Sequence, residues 1–237
     1  MNAMWYITKY RPVSLVTLKV ATATSTGGKS LLVPTPFAFK MALLDIAIRD
    51  VGIEQVENVW PSIRGAAIAL RGPEHIAVTN TFTKILKPNR NAGIDPDTGL
   101  MSVMIRSIGF REYVQWQGDV EIAISAQQPI EQWSRWLTQI NYLGKRGGFI
   151  QALDEPEGIE NLPDGFSLLT GAQTEGFVMG GTLQILDDCG PELTFEQVDI
   201  YSNKGMKVGK DRILRPIVLP YRQTRASRGY TLYERMG

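Results

Sequence analysis

The chain has 237 residues, of which 43% are hydrophobic and 21% charged, and its net charge is +1. That length can bury a substantial core, and the balance is ordinary for a globular protein. One cysteine, Cys189, excludes an internal disulfide framework. No apolar run spans a bilayer, and the N-terminus lacks the pattern of a secretion signal, so a cytoplasmic protein without membrane contact is expected.

In chain order, a strand is expected over Ser14–Val20. It leads into ATSTGGKS, where Ala23, four residues, then Gly28-Lys29-Ser30 fit the looser form of a phosphate-cradling loop. Such a loop works by opening directly into a helix. Here Pro34 and Pro36 follow Ser30, and a proline inside the first turns costs a hydrogen bond and clashes with the preceding turn. Thr35 is a good N-cap, Pro36 a good first helical residue, and Gly52 a stop. The apolar stripe is Phe37, Met41, Leu44, Ile48 and Val51. The glycine-rich turn thus lies upstream of the helix, which argues against an NTPase using Lys29 and Ser30 and leaves that as an alternative reading.

Next, Gly65–Arg71 and His75–Phe82 read as neighbouring strands around the turn Arg71-Gly72-Pro73-Glu74. Residues from Thr83 to Gly99 read as a long polar loop, and long loops in compact domains are commonly functional. Ser107–Val114 and Val120–Ser125 flank Gln117-Gly118-Asp119 like a hairpin. Pro129 is expected to open a helix with Ile130, Trp133, Trp136, Leu137 and Ile140 buried, ending at Gly144. In the loop that follows, Lys145 and Arg146 sit among glycines beside Phe149. Such a loop lets backbone N–H groups and cations approach phosphates while the aromatic stacks or packs; it also suits a plain helix C-cap. Further strands are expected near Gly181–Leu186 and over Glu196–Tyr201, Asp211–Leu219 and Tyr230–Glu234.

Charge is uneven. Residues 151–199 carry eleven Asp/Glu and no Lys or Arg, whereas residues 200–237 carry nine basic and two acidic residues. The basic stretch suits a polyanion, unless the two regions pair with each other in the fold. Catalytic constellations are thin. The one histidine, His75, sits at a turn, and Asp187-Asp188 and Asp95-x-Asp97 fall among Gly and Pro and read as turns, so neither a catalytic site nor a metal site is expected.

The order strand, helix, two strands, hairpin, helix, strands is that of an α+β, ferredoxin-like unit over residues 1–150, with a β-rich part over residues 151–237. Against it, Leu31–Leu44 with its Pro34-Thr35-Pro36 entry, Phe110-Arg111-Glu112-Tyr113-Val114, and Leu143-Gly144-Lys145-Arg146-Gly147-Gly148 resemble segments of the CRISPR-associated RAMP superfamily. The resemblance is to the Cas-five family, the Cascade subunit that holds the 5′ handle of the guide RNA. It implies an RRM-like domain with a protruding hairpin, or thumb, at about residues 80–106. It also implies a non-catalytic role capping the filament of backbone subunits, with no cofactor. Partners would be the guide RNA, the backbone and large subunits, and target DNA indirectly. Lys84, Lys87, Arg90, Arg106, Arg111, Lys145 and Arg146 would contact RNA, joined by Lys29 and Phe149. A branch of the family cleaves precursor RNA with tyrosine and an adjacent lysine–histidine pair. This chain has no such pair, so a metal-independent endoribonuclease using His75, Tyr113 or Lys145 is the alternative.

Overall fold

The computed structural model describes residues 4–20, 28–126, 131–144, 147–171 and 179–237. It is a mixed α/β chain, mostly sheet with few helices. The first strand is β1 (Trp5–Pro12), not Ser14–Val20; the latter stretch makes only single bridges, Val16 to Val114 and Lys19 to Ser30. α1 (Pro36–Val51) starts and stops as its caps require: the Thr35 hydroxyl accepts from the Ala38 N–H at 3.1 Å, and Gly52 closes the end with φ +83°. A second helix follows at once, α2 (Ile53–Gly65), burying Val56, Trp60 and Ile63.

β2 (Ala67–Arg71) and β3 (His75–Pro88) are consecutive but do not pair; the turn between them carries the chain from one sheet to another. β4 (Met104–Gln117) pairs with β3 over its whole length, so the first part of the expected loop, from Thr83 to Pro88, is strand. β5 (Val120–Ser125) returns to the first sheet, so Gly118, with φ +139°, joins two sheets instead of closing a hairpin. α3 (Trp133–Gln139) buries Trp133, Trp136, Leu137 and the following Ile140. It ends before Gly144, and Pro129 and Ile130 lie outside the described residues.

The remaining elements are β6 (Ile150–Ala152), β7 (Glu157–Ile159), β8 (Ser167–Leu168), β9 (Thr182–Cys189), α4 (Phe195–Val198), β10 (Arg212–Leu219), β11 (Tyr221–Ala226) and β12 (Tyr230–Arg235). α4 replaces the strand expected over Glu196–Tyr201: Thr194 and Gln197 form a reciprocal capping box. The first sheet has the order β6-β1-β5-β2-β8, with β7 also on β1; β9 and β10 form a ribbon; the second sheet has the order β11-β12-β3-β4. The chain past residue 150 therefore contributes strands to both larger sheets.

One core joins these layers. α1 packs on α2, α3 and β9. Leu31, Leu32 and Val33 are buried beneath the inner face of the second sheet, where the Trp116 indole donates to the Leu32 carbonyl at 2.7 Å. No described helix is long and apolar enough to cross a membrane.

Candidate functional site

The site begins with how the Gly28–Ser30 segment is held. Glu112 N–H donates to the Gly28 carbonyl at 2.7 Å, and the Glu112 carboxylate accepts from Ser30 N–H at 2.8 Å. Gly28 lies so close to β4 that a Cβ would collide with the Phe110 carbonyl oxygen. The Ser30 hydroxyl accepts from Leu18 N–H at 2.8 Å. The segment is thus an edge pairing along β4, and the donor a phosphate would need is committed to a carboxylate. This geometry disfavours nucleotide binding at Lys29 and Ser30; residues 21–27 of the loop lie outside the described residues.

Between this segment, α1 and β10 runs a cleft of about 610 Å³. Lys19, Lys29, Arg111 and Arg212 line it, with Tyr142 and Asp187. Arg212 is ion-paired with Asp187 and lies 4.2 Å from the centroid of the Phe37 ring. Lys19, Lys29 and Arg111 have no ion pair among the described residues, so the cleft carries surplus positive charge. Lys145 and Arg146 lie outside the described residues; Gly144, which precedes them, lines the cleft.

From Thr81 outward, β3 and β4 pair only with each other among the described residues and form a two-stranded arm. The eight residues from Thr81 to Pro88 give it a reach of roughly 27 Å at about 3.4 Å per residue. Its register places Lys84 opposite Ile108 and Leu86 opposite Arg106, so those two cations share one face, and Lys87, opposite Ile105, lies on the other. Arg90 stands in the turn at the tip. None of these four has an ion pair among the described residues. Phe82, Leu86 and Ile108 are exposed on the same arm, with the Phe82 and Phe110 rings in tilted contact, their centroids 5.2 Å apart. Phe149, about half exposed, is held by its backbone: its N–H donates to the Ser14 hydroxyl at 2.7 Å and its carbonyl accepts from Val13. It is not part of the cleft.

Asp187 and Asp188 correct the sequence reading most sharply. They are not a turn but buried residues of β9. Asp188 accepts from Lys40 Nζ at 2.7 Å, from Cys189 N–H at 2.8 Å and from Arg215 Nε at 3.2 Å. Lys40, itself 1% exposed, also donates to the Arg64 carbonyl at 2.8 Å. The acidic and basic stretches pair further at the surface: Glu192 with Lys210 and Glu196 with Lys204. In the basic stretch, Lys207, Arg225 and Arg228 have no ion pair among the described residues. Lys19, Tyr142 and Arg212 are cleft residues the sequence did not single out; Arg212 stood within an expected strand, and only the fold turns it inward.

Of the three groups offered for acid–base chemistry, Lys145 lies outside the described residues, and His75 and Tyr113 do not converge. His75 pairs with Gln117 and Thr79 with Tyr113, so His75 and Tyr113 lie four residues apart along the sheet, roughly 13 Å. One phosphodiester cannot be within hydrogen-bond reach of both. No group of acidic, histidine or cysteine residues that could hold a metal occurs among the described residues.

No protein-family model matches the chain. It is 27% identical over 183 residues to the CRISPR-associated protein Cas5 of Archaeoglobus fulgidus, spanning 74% of this chain and 75% of that protein. It is also similar to a crystal structure of a CRISPR protein from Archaeoglobus fulgidus, with TM-score 0.47 and 14% identity over 99% of this chain and 92% of that one. The sequence relationship supports a place in the Cas5 family of RAMP proteins.

Proposed function

We propose that this chain, as a Cas5 relative, is a non-catalytic RNA-binding subunit of a CRISPR surveillance complex. In that role it holds the 5′ handle of the guide RNA in a type I (Cascade) assembly and caps the filament of backbone subunits. The observation that carries the reading is the cleft in which Lys19, Lys29 and Arg111 stand without carboxylate partners among the described residues, beside an arm bearing four more such cations. Unpaired cations around a groove are what a single-stranded phosphate chain needs. The sheet order supports a ferredoxin-like domain: β6-β1-β5-β2 is antiparallel throughout, with α1 and α2 between β1 and β2, and α3 between β5 and β6. The arm at residues 80–106 fits the thumb of such a subunit, and its exposed apolar side chains suit contact with the backbone and large subunits. Target DNA is met only through the assembled complex.

The test is binding of the purified chain to a repeat-derived RNA and to a scrambled RNA across a salt series, with the bound RNA then run on a denaturing gel. Salt-steep binding that prefers the repeat and leaves it intact is expected. Shortened RNA would replace this reading with the endoribonuclease, and equal affinity for both sequences would remove handle recognition.

A further inference from the structure

The register of the second sheet assembles a surface that no single segment announces. Ile76, Val78, Val114 and Trp116 point to the core. Side chains on alternate positions therefore form the outer face. Three rows cross it. Tyr230, Thr79 and Tyr113 lie side by side on β12, β3 and β4. On one side of that row come Arg225, Leu232, Ala77 and Gln115; on the other, Thr81 and Arg111. Both tyrosines are partly exposed, and neither arginine has an ion pair among the described residues. Arg111 also lines the cleft, so face and cleft are continuous.

We infer that this outer face is a stacking platform for single-stranded RNA, taking unpaired bases on Tyr113 and Tyr230 between the cations Arg111 and Arg225. The two rings stand two strands apart, roughly 10 Å, so each serves a different base. Bases stack on aromatic faces whatever their identity, and flanking cations meet the phosphates. Thr79, Thr81 and Gln115 supply donors and acceptors suited to 2′-hydroxyls and base edges. A sheet face that served only to stay wet would not need two large rings in one row between unpaired arginines. The inference rests on the proposed RNA-binding function and extends the bound strand out of the cleft onto the sheet.

The test uses the full chain and a single-stranded repeat-derived RNA. Affinity is measured across a salt series for wild type, Tyr113→Ala, Tyr230→Ala, the corresponding Phe variants and Arg225→Ala. Tyr113→Ala and Tyr230→Ala should each lose about 5- to 100-fold in affinity with an unchanged salt slope, because stacking releases no counterions. The Phe variants should stay within about twofold, and Arg225→Ala should lower the slope. Because an Ala variant can also weaken the fold, the wild-type chain is crosslinked to 4-thiouridine RNA and the adducts are mapped. Adducts on Tyr113 or Tyr230 are expected. Wild-type binding with unchanged Ala variants and adducts elsewhere would overturn the platform while leaving the cleft intact. Absence of wild-type binding would overturn both.

Discussion

Two basic regions of this chain look alike in composition and differ in what their charges do. The C-terminal stretch is the denser, with nine Lys/Arg in residues 200–237. Six of them meet carboxylates: Lys204, Lys210, Arg212, Arg215, Arg222 and Arg235. The arm and the cleft edge are sparser, yet Lys19, Lys29, Lys84, Lys87, Arg90, Arg106 and Arg111 have no such partner among the described residues. A polyanion responds to charge that is not already neutralised, so the sparser region is the better candidate for binding. Charge density along a sequence measures supply; the fold decides what remains.

The comparison is tested hardest at its paired extreme. Asp188→Ala leaves Lys40 buried without its carboxylate, and breaking a buried pair on one side costs about 3–5 kcal/mol. Urea unfolding should show a loss of that size. The double variant Lys40→Met, Asp188→Leu should recover much of it, since apolar replacement of a buried pair is often neutral. A single variant as stable as wild type would mean that the C-terminal charges do not clamp α1 to β9.

The unpaired extreme is tested by binding. Lys29→Ala and Arg111→Ala should each flatten the salt dependence of RNA affinity by about 0.7 in log–log slope, the value for one phosphate contact on a single strand. Lys204→Ala and Lys210→Ala should leave the slope where it was, because Glu196 and Glu192 already hold those charges. Equal slopes for the two sets would dissolve the distinction. Gly28→Ala probes the same edge from the backbone side. Forcing a Cβ against the Phe110 carbonyl should cost about 1–3 kcal/mol in urea unfolding, as other overpacking does. A neutral Gly28→Ala would show that the segment is not pressed against β4.

Much of this was legible locally and little of it at long range. Thr35-Pro36 and Gly52 announced α1 because caps act within one turn. The α2 pattern Val56, Trp60, Ile63 has helical spacing, but Gly52 before it and Pro61 within it read as breakers. Local pattern reads Lys84, Lys87, Pro88, Asn89 and Arg90 as a loop, and only the family resemblance implied a hairpin there, because pairing to β4 overrides local preference. Asp187-Asp188 read as a turn because Gly190 and Pro191 follow; only the arrival of Lys40, Arg212 and Arg215 from other elements makes burial tolerable. Of the candidate binding residues, Lys29 and Arg111 meet in the cleft, Lys84, Lys87, Arg90 and Arg106 share the arm, and Phe149 stands apart from the cleft. Sequence neighbours suggested the arm residues; no local signal linked position 29 to position 111.

The smallest expected effect concerns an exposed pair that belongs to neither extreme. Arg11 Nε donates to Asp119 at 2.9 Å where β1 meets the turn before β5. That hydrogen bond, aided by the charges of Arg11 and Lys9, holds the Asp119 carboxyl below its ordinary range, against the opposing effect of partial burial. A carboxyl depressed in the folded state stabilises the protein above its unfolded pKa and loses that contribution as pH falls through the folded value. Asp119→Asn should therefore be slightly less stable than wild type at pH 7, and the gap should close below about pH 4, near the ordinary carboxylate value. Urea midpoints at a series of pH values would show it. A gap that stays constant as the pH falls would mean that the pair, like many at a protein surface, is geometry without consequence.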